Sequence, residues 1–129
     1  TALFLDITWP FFCSVDIKVA WDVEELVALI DVYRKSDGKT TDQIEKELMD
    51  LSKSLTLRAQ KLGIKHDEKF RNLNGMKMMF QNVVYTATNG QQGLSSASSS
   101  LQKVYKMLHT NPDVFELILE EFIRRYHLK

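Results

Sequence analysis

The polar side chains between residues 71 and 81 are of the types that read base edges in a DNA groove. Arg71, Asn72, Asn74, Lys77 and Gln81 stand together around the start of a predicted helix. Arginine pairs with the acceptor edge of guanine through two hydrogen bonds, and asparagine or glutamine pairs with adenine in the same way. Because a recognition helix enters the major groove by its N-terminal end, these residues form a candidate DNA-binding site.

Lysines that come before this helix fit the role of phosphate contacts. Lys65 and Lys69 lie in the loop that leads into it, and Lys53 and Lys61 lie in the preceding helix. Phosphate contacts orient a protein on the duplex without reading its sequence. In a second interpretation Lys53, Lys61 and the neighbouring Arg58 lie on a solvated helix face, where they complement the negative end of the helix dipole.

The helix that must position these residues is marked by an apolar stripe at helical spacing. The stripe comprises Met76, Met79, Phe80, Val83, Val84 and Ala87, and the opposite face carries Lys77, Met78, Gln81, Asn82 and Tyr85. Asparagine is a favoured N-cap, so Asn72 and Asn74 have a second interpretation as caps. The stripe outweighs the hairpin-turn signal of Asn74-Gly75, and we expect the helix to begin at Asn72 or Asn74.

Four further helices follow from caps and spacing. Asp22 and Glu25 form a capping box for a first helix, whose predicted buried face is Val23, Leu26, Val27, Ile30 and Tyr33. The second helix runs from Thr40 or Thr41 to Leu62-Gly63. After a Ser-rich connection, a fourth helix carries Leu101, Val104, Tyr105 and Leu108. Asn111-Pro112-Asp113 opens the fifth.

Residues 1–20 differ from the rest of the chain. Apolar residues alternate with polar ones on both sides of Trp9-Pro10-Phe11, which predicts two short strands in a hairpin. We therefore divide the chain into a hairpin segment, residues 1–20, and a helical domain, residues 21–129. Exposed aromatic side chains or an open strand edge in residues 1–20 would suit a partner protein or a second copy of the chain.

The amino-acid composition limits which classes of function the chain could have. The 129 residues carry 17 bases and 17 acids, so no overall charge draws the chain to nucleic acid. The charges are unevenly placed: residues 22–52 hold nine acids and four bases, and residues 53–77 hold seven bases and two acids.

Cys13 is the only cysteine, which excludes an internal disulfide and fits a cytoplasmic setting. There is no membrane-length apolar run, and the lack of an initiating Met indicates a fragment or a processed chain.

Motifs of catalysis are missing from the sequence. It has no nucleophile elbow, no paired histidines on a helix, no phosphate loop and no dinucleotide fingerprint. Glu120 and Glu121 are adjacent on a helix and point about 100° apart, so they do not converge on one substrate atom. His66 beside Asp67 is too small a set for zinc, which needs three or four ligands. We therefore expect no metal, no cofactor and no catalysis within this chain.

Part of the sequence resembles a known module. The matching residues are Trp21, Glu24-Glu25-Leu26, Ala28-Leu29, Val32-Tyr33, Phe70-Arg71-Asn72-Leu73-Asn74-Gly75-Met76, Asn82 and Gly93-Leu94-Ser95. Over roughly residues 21–108 the chain is similar to a helical module that precedes HNH nuclease domains in modification-dependent restriction endonucleases. The resemblance implies a DNA-directed restriction or defence protein, with Arg71, Asn72 and Asn74 as candidate binding residues. No HNH residues are present, so it implies a targeting module rather than the nuclease.

The sequence thus predicts a mainly α fold, with about five helices in a compact bundle and a short N-terminal β-hairpin. The predicted function is DNA binding or targeting within a restriction or defence nuclease system, with double-stranded DNA as the partner. The alternative is a helical module for protein interaction or oligomerisation through residues 1–20.

Overall fold

The computed structural model describes residues 19–90 and 99–126, and these residues form five α-helices. In chain order they are α1 (Val23–Arg34), α2 (Thr41–Leu62), α3 (Leu73–Ala87), α4 (Ser99–Thr110) and α5 (Pro112–Tyr126). The prediction of a mainly helical fold with about five helices is confirmed. The predicted hairpin falls on residues 1–20, of which 1–18 lie outside the described residues. No helix in the described part of the chain is long and apolar enough to cross a membrane.

The helices begin where the sequence supplies caps for their first N–H groups. Asp22 accepts a hydrogen bond from the Glu25 N–H at 3.0 Å, and the Glu25 carboxylate accepts one from the Asp22 N–H at 3.2 Å. Thr40 and Gln43 form the same reciprocal pair at the start of α2. Gly63 ends α2 with φ +69°, a left-handed conformation that costs a side chain-bearing residue more. The predicted start of α1 and the predicted start and end of α2 are therefore confirmed.

Helix α1 is the centre of the molecule. Its residues from Glu25 to Asp31 are buried without interruption, including Ala28 and Leu29. A helix buried on every side must be enclosed by others, and α1 contacts all four remaining helices. The sequence predicted only one buried face on α1 and missed Ala28 and Leu29. It also placed Val23 in the core, where the structure leaves it 48% exposed.

The other four helices surround α1 in chain order. α2 packs on α3, α3 on α4, α4 on α5, and α5 returns to α2. Within the described residues α3 and α5 do not touch, so they lie on opposite sides of α1. Arg34, the last residue of α1, pairs with Glu116 near the start of α5 and stacks over the Phe115 ring at 5.0 Å. α1 and α5 therefore run in opposite directions.

Helix α3 buries the stripe that the sequence marked. Met76 and Val83 are fully buried, Phe80 is 8% exposed, and Met78, which falls off the stripe, is 59% exposed. One assignment was wrong: Asn82, expected on the outer face, is only 9% exposed, and its amide donates to the Met79 sulfur at 3.5 Å. The outward side of α3 is consequently narrower than the sequence predicted.

The enclosure of α1 predicts a large difference between two leucines. Leu29 is fully buried in α1, whereas Leu117 in α5 is 60% exposed. Leu29→Ala is expected to lower the free energy of unfolding by about 2–5 kcal/mol, because it deletes buried atoms and leaves a cavity. Leu117→Ala removes the same atoms from a surface position and is expected to change the free energy of unfolding by less than about 0.5 kcal/mol. Urea denaturation of both variants measures this, and equal losses would contradict a central α1.

Candidate nucleic-acid interface

The Arg71 side chain points into the molecule. Its guanidinium makes two hydrogen bonds to the Glu25 carboxylate, from Nε at 2.9 Å and from Nη2 at 2.8 Å. It also donates to the backbone carbonyls of Val19 at 3.1 Å and Ala20 at 3.2 Å. Residue Arg71 is 9% exposed. The group has five N–H donors, and these four bonds leave it little capacity to bind anything else.

Aromatic rings enclose the same guanidinium. Its central carbon lies 4.3 Å from the centre of the Trp21 ring and 4.4 Å from that of Phe70. The faces of aromatic rings attract cations, and the attraction grows when water is excluded. Two rings, one carboxylate and two carbonyls therefore hold the arginine in place.

The backbone of Arg71 is also constrained. Its φ is +49°, in the left-handed region that costs a non-glycine residue about 1–2 kcal/mol. The Ser52 hydroxyl of α2 donates a hydrogen bond to the Arg71 carbonyl oxygen. The residue before the N-cap of α3 is thus fixed at its side chain to α1 and at its backbone to α2.

A second arginine completes this arrangement from α2. Arg58 is 8% exposed and pairs with Asp22 at 2.6 Å and with Glu24. Burial alone would lower the pKa of Arg58, but hydrogen bonds to Glu24 and Asp22 and their charges outweigh it and raise the pKa. The interpretation of Arg58 as a solvated, dipole-compensating residue was wrong. It is the partner of two acids in the first turns of α1.

These contacts correct the role expected of Arg71. The sequence placed it on an outward leading end of α3, available to guanine, but its guanidinium faces Glu25 and Trp21. Arg71 positions the entrance of α3 instead. Sequence spacing could not reveal this, because Glu25 and Arg71 are 46 residues apart and a charged pair at that separation leaves no periodic signal.

The other candidate residues of α3 are on its solvent side. Asn72, Asn74, Lys77 and Gln81 are all exposed. Asn72 is the N-cap, and its side chain accepts a hydrogen bond from the Gly75 N–H at 2.9 Å. Asn74 has no such capping duty. Lys77 is 47% exposed and pairs with Glu45 of α2 at 3.0 Å.

The lysines expected to contact phosphate are exposed as well. Lys65 and Lys69 lie in the loop between α2 and α3, where the Asp67 side chain accepts a hydrogen bond from the Lys69 N–H at 2.9 Å. Lys61 lies over the Tyr126 ring of α5 at 5.9 Å, and Lys53 borders a groove beside α5. Lys65 and Lys69 are therefore the two that adjoin the α3 entrance.

A feature that the sequence analysis overlooked is a long stretch without acids. Between Glu68 and Asp113 there is no aspartate or glutamate, while the same residues include Lys69, Arg71, Lys77, Lys103 and Lys106. The stretch contains all of α3 and α4, which pack side by side. We call their joint solvent side the acid-free face. The sequence shows this stretch as a long gap between acidic residues. The charge counts for residues 22–52 and 53–77 stop before most of the gap and therefore did not reveal it.

The described residues also form a groove between α1, α2 and α5, with a volume of about 730 Å³. Its floor is apolar, and its rim carries charges of both signs. The lining residues are Ala28, Asp31, Val32, Lys35, Glu47, Asp50, Leu51, Lys53, Ser54, Leu119, Phe122 and Ile123. Within residues 19–90 and 99–126, no group of three His, Cys, Asp or Glu side chains could hold a metal ion. The groove is thus separate from the acid-free face and presents no cluster of one charge.

The burial of Arg71 predicts a structural rather than a binding phenotype. Arg71→Ala leaves the Glu25 carboxylate buried without its cation, and we expect the free energy of unfolding to fall by about 3–5 kcal/mol. Lys77→Ala breaks an exposed pair and is expected to cost at most about 1 kcal/mol. Chemical denaturation monitored by circular dichroism compares the two variants. Similar small losses for both would show that the Arg71–Glu25 pair does not hold α3 to α1.

The two asparagines at the α3 entrance predict different outcomes. Asn72→Ala removes the N-cap and is expected to lower the free energy of unfolding by about 0.5–2 kcal/mol. Asn74→Ala removes an exposed amide with no capping bond and is expected to change it by less than about 0.5 kcal/mol. Thermal and urea unfolding of the two variants measure the difference. A larger loss for Asn74→Ala would contradict the assignment of Asn72 as the cap.

The site is thus an exposed, amide-bearing helix entrance, joined to a surface without acids and held from within by buried ion pairs. Comparisons with protein-family models, with curated proteins and with solved structures found no match to this chain.

Proposed function

We propose that this chain binds double-stranded DNA as a targeting module of a restriction or defence nuclease system, with no catalysis of its own. The proposed contacts are Asn74, Lys77 and Gln81 on α3, with Lys65 and Lys69 beside them. Asn72 contributes as the cap that orders the first turn. Arg71 makes no contact with DNA and instead fixes the position of that turn against α1.

The observation that carries the proposal is the acid-free face. DNA phosphates repel carboxylates, so a surface that approaches a duplex must keep them away. α3 and α4 have no carboxylate side chain, and apart from the exposed Met78 their outward positions carry mainly amides, hydroxyls and lysines. The chain as a whole is neutral, and its described acids lie on or beside α1, α2 and α5 and in the loop that holds Asp67 and Glu68. Glu45 of α2 pairs with Lys77 at the edge of the face, and the rest of the outward side of α3 and α4 is suited to an anion.

The ion pair of Lys77 is compatible with this role. Exposed lysine–carboxylate pairs contribute about 0.2–1 kcal/mol, because water screens both charges. A phosphate that approaches Lys77 therefore displaces Glu45 at little cost. Asn74 and Gln81 lie three positions before and four positions after Lys77, on the same face of α3. No hydrogen bond within the described residues occupies their amides, which leaves them available for the two-bond contacts with adenine that the sequence suggested.

The resemblance to the module upstream of HNH domains supports the same function. It rests on the Phe70-Arg71-Asn72-Leu73-Asn74-Gly75-Met76 string and on the α1 residues around Trp21. In this structure the Arg71 guanidinium lies against the rings of both Trp21 and Phe70. These residues therefore account for the shape of the helix entrance, and the amides beside them supply its chemistry.

The alternative, a protein-interaction module acting through residues 1–20, remains a prediction from sequence. Residues 1–18 lie outside the described part of the chain, and the contacts of Val19 and Ala20 are internal ones, to Arg71. Light scattering at high protein concentration tests its oligomeric form, because self-association through residues 1–20 raises the scattering mass, whereas the DNA module needs no second copy.

Binding of a fluorescent duplex tests the proposal. The triple variant Asn74→Ala/Lys77→Ala/Gln81→Ala is expected to weaken binding at about 0.1 M salt by at least about tenfold, since the two lost amide–base contacts are worth about 1–3 kcal/mol each and the lost Lys77 charge removes a phosphate contact. All three residues are exposed, so the fold should survive, and circular dichroism verifies it. Fluorescence anisotropy gives the affinities.

Arg124→Ala supplies the matched control. Arg124 is 66% exposed on α5, across α1 from α3, and it pairs with Glu121. Its removal also deletes one cation but is expected to leave duplex affinity at about 0.1 M salt within about twofold, because exposed charges more than about 10 Å apart are largely screened there. Absence of duplex binding at low salt, or a triple variant that binds like the unmodified chain, would refute the proposed function.

A further inference from the structure

The solvent side of α4 carries two lysines that the sequence analysis did not include in the DNA site. Lys103 and Lys106 are both exposed, and neither pairs with a carboxylate among the described residues. They are three positions apart, so they lie on the same face of the helix about 5–6 Å from each other. By contrast, Lys77 on α3 already has Glu45 as a partner.

We propose that α4 is a second DNA-contacting element, with Lys103 and Lys106 binding phosphates of the strand that borders the groove entered by α3. This inference rests on the proposed function and deepens it. It assigns base reading to the amides of α3 and adds the α4 lysines to Lys65, Lys69 and Lys77 as a source of backbone affinity.

The packing of the two helices supports this division. Helices in contact have axes about 8–10 Å apart, and the major groove is about 12 Å wide. If α3 occupies the middle of that groove, its edge lies about 6 Å away, so a neighbouring helix lies over the sugar–phosphate backbone. α4 packs directly against α3, and its outward residues are of the kind the backbone needs.

The remaining exposed residues of α4 are consistent with a phosphate contact. Ser99, Ser100, Gln102, His109 and Thr110 are exposed, and all five side chains form hydrogen bonds readily. His109 packs edge-on against the Tyr105 ring at 5.0 Å, so the outer face of the last turn is polar. Helix α4 has no acid of its own, none precedes it back to Glu68, and the first acid after it is Asp113 of α5. The two lysines therefore act on an approaching phosphate without a carboxylate on their own helix.

The salt dependence of binding tests the inference on the full chain. Each phosphate contact adds about 0.9 to the slope of log affinity against log salt. Lys103→Gln/Lys106→Gln is therefore expected to reduce the slope by about 1.8. Between about 50 and about 200 mM salt the unmodified chain then loses about tenfold more affinity than the variant. Anisotropy with one duplex over this range measures both slopes.

Arg124→Gln/Arg125→Gln is the control, because it also removes two exposed cations but from α5. Its slope is expected to match that of the unmodified chain. If the unmodified chain binds and Lys103→Gln/Lys106→Gln leaves the slope unchanged, the inference fails while the proposed function stands. Equal slope changes in the two double variants would also overturn it, since net charge alone would explain them. Failure of the unmodified chain to bind refutes both proposals.

Discussion

The buried ion pair between Arg71 and Glu25 is the constraint on which the arrangement of the other helices depends. Glu25 is 1% exposed and is also a member of the capping box that starts α1. Removing two charges from water costs several kcal/mol per ion, and only close geometry with further hydrogen bonds offsets that cost. The two Glu25 contacts, two backbone carbonyls and two aromatic rings provide such geometry. One guanidinium thereby joins the beginning of the central helix to the entrance of α3.

This pair also explains how a small domain presents a precise surface. α1 is enclosed on all sides, so the outer helices are positioned by what they bury against it. Apolar packing is not directional, whereas the Arg71 and Arg58 contacts fix specific residues of α2 and α3 against the first turn of α1. The internal charges orient the helices, and the outer face of α3 remains available for amides and lysines. Arginine is used here for its planar, two-bond geometry, which lysine cannot reproduce.

The sequence predicted the elements well because caps and apolar spacing are local signals. Several helix boundaries are marked by residues that lie within four positions of them, as with Asp22 and Glu25, Thr40 and Gln43, Gly63, and Pro112. It failed where an assignment depended on distant partners. Arg71 and Arg58 were predicted to be exposed, whereas both are buried and paired with acids at the start of α1. Likewise the stripe on α3 predicted Met76 and Val83 correctly but not Asn82, whose burial depends on what packs beside α3. Side chains that end in a charge or an amide are assigned by tertiary context, and residue type alone does not decide it.

A neutral chain can still attract a polyanion if its charges are far enough apart. A surface charge is screened beyond about 8–10 Å at physiological salt, and one helix with its side chains is already about 10–12 Å across. Carboxylates on α5, such as Glu121, are separated from α3 by α1 and act little on a phosphate at the acid-free face. At very low salt the screening length approaches about 30 Å, and those same carboxylates begin to oppose the duplex. The net charge of zero therefore limits how much binding gains from lowering salt, while the absence of carboxylates from α3 and α4 themselves governs binding near physiological ionic strength.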